Sequence, residues 1–128
     1  PRTPEGHAAA GARAEAMLRH IAASAEPDAA RARFCRDAAE LEAARAAGLT
    51  GVLSAVENGY AIGEDLSRLA LWRRLGAIYL TLTHNGHNLL ADSAIPRPDL
   101  QDGPALHGGL SRLGREAIAE MNRVGLLV

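Results

Sequence analysis

Two short apolar runs constrain this chain most. Residues 51–56 (G-V-L-S-A-V) and 77–83 (A-I-Y-L-T-L-T) each give way abruptly to a polar side chain, Glu57 and His84. Runs of this length, apolar without alternation, suit strands buried on both faces, and such strands need helices to cover them. The segment between the runs supplies one. Leu66, Leu69, Ala70 and Trp72 recur at helical spacing over about residues 64–75, with Gly76 behind them.

The same alternation extends to both sides. An Ala-rich stretch with Met17, Leu18 and Ile21 among Arg13, Glu15 and Arg19 predicts a helix over residues 4–24, which Glu26-Pro27-Asp28 interrupts. Residues 32–35 have the length of a short strand. Asp37 is placed to cap a helix through Glu40, Leu41, Ala44 and Arg45 to Ala47, closed by Gly48 where a left-handed residue is wanted. Ser111 caps a further helix carrying Leu113, Ala117, Ile118 and Met121, with Glu116 and Glu120 outward, before a last strand predicted from Val124. Residues 85–109 hold three Pro and four Gly with little periodicity, a loop of 25 residues, and loops of that length tend to be functional or mobile. Strand, helix, strand, helix, strand is the order of parallel βαβ units, whose right-handed crossovers return every strand pointing the same way. Glu57 and His84 are therefore expected on one rim, the C-terminal edge of the strands, where α/β sheets and barrels bind ligands.

Composition narrows the partners. With 128 residues, 48% of them apolar, 23% charged and a net charge of −1, the chain describes one globular unit with a real core. All 14 cations are Arg, scattered among 15 acids, and only Phe34, Tyr60, Trp72 and Tyr79 are aromatic. Neither a basic field nor a stacking platform results, so no nucleic acid is expected as a partner. No apolar run approaches the roughly 18 to 20 residues of a bilayer span, and no signal-peptide pattern opens the chain, so no membrane insertion by this segment is expected. The single Cys35, read as a small buried hydrophobe, cannot form an internal disulfide or a thiolate zinc site. Any metal must then be held by His and carboxylate. Phosphate-loop, dinucleotide, G-x-S-x-G and H-E-x-x-H motifs are absent, which removes the common nucleotide and serine-hydrolase readings.

Two residues stand out as candidates. Glu57, delivered to the end of a buried strand, is either a loop carboxylate accepting hydrogen bonds from the following turn or a hard oxygen ligand or general base. His84 is either a hydrogen-bonded rim residue or a functional imidazole. His87, three residues on, suggests an H-x-x-H metal pair with His84, although Gly86 lies between them in a loop that fixes no geometry. His7 and His20 are expected to be solvated, and His107 to be a loop residue.

Four stretches extend this reading: V-E-N-G-Y-A-I (56–62), L-G-A-I-Y-L-T-L-T-H-N (75–85), A-D-S (91–93), and G-G-L-S (108–111) continuing through G-R-E (114–116) to E-M-N-R-V-G (120–125). In this order and at this spacing, over about residues 31–128, the sequence resembles the membrane (renal) dipeptidase family of zinc metallopeptidases. The resemblance implies part of a TIM-type (β/α) barrel, about half of a (β/α)8 domain, with a two-zinc site at the C-terminal rim that hydrolyses dipeptides and related small amides. It implies that Glu57 bridges the two metals as a catalytic metal ligand. It also implies that His84 binds substrate and helps stabilise the tetrahedral intermediate. Tyr60 stands where many members have His, and Tyr also fits the pattern of bacterial relatives.

The sequence also departs from that family. The other metal ligands, an H-x-D pair, two later His and an acidic residue, have no counterpart in these 128 residues, whereas a barrel takes roughly 250. The chain begins at Pro1 and stops inside Val124-Gly125-Leu126-Leu127-Val128, which reads as a piece of something longer or one half of an assembly. The isolated chain is accordingly expected to be inactive, with activity belonging to a parent protein or to a complex with complementary chains, including a homo-oligomer. Two other readings stand beside this one: a non-catalytic half-barrel acting as an interaction piece, and a related amidohydrolase with another small amide or lactone as substrate.

Overall fold

The computed structural model describes residues 2–24 and 30–128, and the break expected at Glu26-Pro27-Asp28 lies outside them. Helix α1 (Pro4–Ser24) follows the Ala-rich stretch, α2 (Ala38–Ala46) the segment after Asp37, α3 (Ser67–Arg74) the Trp72 segment and α4 (Arg112–Val124) the segment after Ser111. The caps act as their chemistry requires. Asp37 accepts from the Glu40 N–H at 2.8 Å and Ser111 from the Gly114 N–H at 2.9 Å, each satisfying a donor that the first helical turn leaves open. Gly48 and Gly125 close α2 and α4 at φ of +72° and +73°, where a Cβ would be strained.

The strands are shorter than the apolar runs. β1 (Ala32–Phe34) pairs in parallel with β2 (Thr50–Val52), and β3 (Ser54–Val56) pairs in parallel with β4 (Ala77–Leu80). The single strand expected over residues 51–56 is thus divided at Leu53: its first half serves β1 and its second serves β4, with a register irregularity between Ser54 and Ala55. The expected last strand is a correction of the same kind. Val124 ends α4, and the chain contributes a parallel bridge between Leu127 and Tyr79 instead. Strand positions therefore follow chain order, with α2, α3 and α4 as successive crossovers. The result is a mixed α/β unit, and no barrel closes within the described residues.

The core joins α1, α3 and α4 to β3 and β4 through Leu18, Val56, Ile62, Leu69, Trp72, Leu80, Leu90 and Met121. Trp72 is fully enclosed, and its indole N–H has no hydrogen-bond partner, which costs about 1–3 kcal/mol. Burying an aromatic ring of this kind removes roughly 150–250 Å2 from water, worth about 4–6 kcal/mol at 25 cal/mol/Å2, so packing wins. Small residues set the spacing. A Cβ on Gly11 of α1 would stand 2.9 Å from the Ala61 carbonyl, and one on Gly114 of α4 would stand 2.1 Å from the Leu90 carbonyl. No described helix is long and apolar enough to cross a membrane.

Candidate active site

Beyond β3 and β4 the two segments stay stitched together although neither remains a regular strand. The Thr81 N–H donates to the Val56 carbonyl at 3.1 Å, and the Gly59 N–H is shared between the Thr81 and Leu82 carbonyls at 2.9 and 3.1 Å. Asn58 turns the chain at φ +78°, a conformation Asn tolerates better than most residues. Its backbone N–H donates to Thr81 Oγ1 at 2.8 Å, and its side-chain oxygen accepts from the Tyr60 N–H at 3.0 Å. Gly59 follows because only a residue without Cβ fits: a methyl there would meet Leu90 at 2.4 Å and the Leu82 carbonyl at 2.9 Å.

This stitching brings Glu57 and His84 together. Glu57 Oε1 lies 3.6 Å from His84 Nε2, with the two side chains 72% and 57% exposed, so both groups face open solvent beside one another. A shallow cavity of about 300 Å3 between α1 and the end of β3 reaches Glu57 and is lined by Met17, Leu18, Ala55 and Tyr60. His84 is held through its backbone, since Ser93 Oγ donates to the His84 carbonyl at 2.5 Å and itself accepts from the Ile95 N–H at 3.1 Å.

The long loop is ordered by three polar side chains. His87 is buried, its Nδ1 accepting from the Ser93 N–H at 3.0 Å, which leaves Nε2 to donate to the Gly103 carbonyl at 2.9 Å. Both ring nitrogens are thus committed, and the H-x-x-H metal pair with His84 is not formed. Burial pushes the Asp92 carboxyl up, but N–H donors from Gly109, Leu106 and His107, with His87 nearby, more than offset this and hold it at about 2. Asp102 accepts from Arg2 at 2.5 Å and from the His87 and Arg97 N–H groups at 3.0 and 2.8 Å; the Arg2 hydrogen bond above all keeps its carboxyl far below the usual range. His107 Nε2 donates to the Asn88 carbonyl, 2.8 Å away, as a loop residue should. His7 differs from expectation: its ring packs edge-on against Tyr60 at 4.6 Å, and burial lowers its pKa although Glu64 acts the other way.

Asn88 is the residue sequence reasoning missed. Buried, it makes four side-chain hydrogen bonds: its amide group donates to Asn58 Oδ1 and to the Leu82 carbonyl, and its oxygen accepts from the Leu90 and Ala91 N–H groups. No local pattern marks it, because its partners lie up to 30 positions away. Among the described residues no group of three or more His, Cys, Asp or Glu side chains is arranged to hold a metal ion. Glu57 and His84 offer one hard oxygen donor and one imidazole, whereas a catalytic zinc usually takes three protein ligands.

Comparison with known proteins bears on the family and the fold. The profile of the family described as membrane dipeptidase (peptidase family M19) matches residues 6–128. The chain is 41% identical over 76 residues to the dipeptidase aclJ of Aspergillus oryzae, covering 59% of this chain and 17% of that protein. It is 51% identical over 55 residues to the dipeptidase verJ of Clonostachys rogersoniana, covering 43% and 13%. Among solved structures, the probable dipeptidase PvdM from Pseudomonas aeruginosa superposes with a TM-score of 0.81 at 26% identity, over 85% of this chain and 27% of that one. An amidohydrolase from Pseudomonas aeruginosa gives 0.72 at 29% identity, over 87% and 32%. The chain therefore spans less than a fifth of these curated relatives.

Proposed function

The chain belongs to the membrane dipeptidase family, peptidase family M19, and from that premise we propose that it supplies part of a dinuclear zinc centre hydrolysing the peptide bond of dipeptides. The observation that supports this most is the approach of Glu57 and His84 to 3.6 Å from separate strand ends. The alternating parallel units fit a portion of a TIM-type (β/α) barrel, in which chemistry belongs to the C-terminal rim.

Each residue has a role its chemistry allows. Glu57 would be a ligand of the metal pair, its carboxylate supplying negative charge that offsets the mutual repulsion of two cations, which a neutral carboxamide does not. When bound, such a pair of ions acidifies water from a pKa of about 15.7 toward 7, providing a nucleophile at neutral pH. His84 binds the substrate and donates a hydrogen bond to the peptide oxygen as negative charge grows there. Tyr60 and the 85–109 loop shape the pocket around them. The remaining metal ligands lie outside these residues.

The test replaces Glu57 by Gln in a polypeptide that carries this segment within a complete site. Zinc content should fall, and dipeptide turnover should drop at least ~100-fold, as expected for loss of a metal ligand that a neutral isostere cannot replace. Undiminished zinc and turnover in that variant would overturn the assignment. A second reading draws on the likeness to the Pseudomonas amidohydrolase: a different small amide or lactone as substrate. A substrate panel on the same protein separates the two.

A further inference from the structure

Two catalytic groups that reach solvent from the ends of different strands have a separation only as fixed as the backbone beneath them. Here that backbone is irregular. β3 stops at Val56 and β4 at Leu80, before either functional residue is reached, so no strand ladder sets the geometry at Glu57 and His84. A few direct hydrogen bonds still join the two ends, from the Gly59 N–H to the Thr81 and Leu82 carbonyls and from the Asn58 N–H to Thr81 Oγ1, and one buried side chain joins them as well. The Asn88 amide group donates at 2.9 Å to Asn58 Oδ1, next to Glu57, and at 2.7 Å to the Leu82 carbonyl, two residues before His84.

We propose that Asn88 is a positioning residue that sets the Glu57–His84 separation by dividing its two N–H donors between the two strand ends. The inference rests on the functional reading of that pair. The remaining hydrogen bonds make the division effective. Asn88 Oδ1 is fixed from the other side by the Leu90 and Ala91 N–H groups at 2.8 and 3.2 Å, so the carboxamide has no free rotation. The Asn58 oxygen it grips is also the one that receives the Tyr60 N–H and so holds the φ +78° turn that orients Glu57. The Leu82 carbonyl it grips is also an acceptor for Gly59, on the opposite strand end. Every polar atom of the carboxamide is used, and both of its donors point to backbone or side chain adjoining the candidate pair.

The chemistry of the amide provides a discriminating substitution. Asn88→Asp has nearly the same shape and keeps the acceptor for Leu90 and Ala91, so the loop retains its anchor. It loses both donors and sets a carboxylate oxygen against two acceptors, so the strand ends are pushed apart. Asp92→Asn serves as the comparison, because it weakens the same loop without touching either strand end. Two readouts are needed. Nuclear Overhauser contacts between the Glu57 methylenes and the His84 ring, measured in the 128-residue chain, report the geometry without requiring any activity. The kcat and KM for a dipeptide, measured in a polypeptide with a complete site, report the consequence.

Asn88→Asp is expected to lose the Glu57–His84 contact and to lower kcat by about 10- to 100-fold, the usual cost of removing a partner that orients a functional group. KM should change much less. Asp92→Asn is expected to keep the contact while lowering the melting temperature. Retention of the contact in Asn88→Asp, or equal loss of it in both variants, would overturn the proposal, since Asn88 would then act only through loop stability. If the unsubstituted protein hydrolyses no dipeptide but the contact is lost only in Asn88→Asp, the positioning role stands and the dipeptidase reading fails.

Discussion

Asp92 illustrates how a single side chain can organise a loop that carries little secondary structure. Its carboxylate receives N–H groups from Leu106, His107 and Gly109, which lie 14 to 17 positions away. Those donors favour the charged form, so the folded carboxyl sits at about 2 against an ordinary value of 3.8. A depressed carboxylate stabilises the folded state above the unfolded pKa, and that contribution disappears as pH falls through the folded value. Stability of the loop is therefore expected to decline between about pH 4 and pH 2, and Asp92→Asn should flatten that decline. Urea midpoints measured at intervals across the window check this; an equally steep loss in the variant would place the sensitive group elsewhere. Asp102, held low by Arg2, belongs to the same acid-sensitive assembly.

At the scale of elements, contact distances depend on residues that lack side chains. α4 starts where Ser111 binds both its own first turn and the Leu89 carbonyl, at 2.6 Å, so the helix is tied to the loop it follows. Gly114, one turn in, lies so close to Leu90 that a methyl group would stand 2.1 Å from the carbonyl oxygen. Gly114→Ala gains about 1 kcal/mol of helix propensity but must push α4 away from the backbone, and overpacking of this kind costs typically 1–3 kcal/mol or more. The net effect is expected to be destabilising and visible as a lower melting temperature. Because Leu90 also closes over Gly59, the displacement should extend to the turn that carries Glu57.

For the whole molecule, the parallel order of strands accounts for why two distant residues meet, and also for what they lack. A right-handed crossover returns each strand beside the last, so Glu57 and His84 emerge together at one end. Two donors are not a catalytic zinc shell. On the proposed reading, the isolated 128-residue chain is expected to show no dipeptide turnover above background with added zinc, and to gain activity when joined to segments that supply further metal ligands. Robust turnover by the purified chain alone would show that fewer ligands suffice. The large apolar side chains exposed at Leu53, Tyr79 and Leu127 lie on or beside the strands.

Local chemistry determined most elements of this protein. The helix starts at Asp37 and Ser111 and the left-handed residue Gly48 fix their conformations through atoms a few positions away, so they can be read from sequence, whereas Gly125, read as part of a strand, ends α4 instead. Family motifs likewise singled out Glu57 and His84 as candidates, and the fold brings them within 3.6 Å of one another. The division of one apolar run at Leu53, the ending of β4 before Thr81, the commitment of His87 to the loop and the bridging by Asn88 were decided only by tertiary structure. Each depends on hydrogen-bond partners that come close only after the chain has folded, and no local periodicity records which distant carbonyl or amide will be within reach.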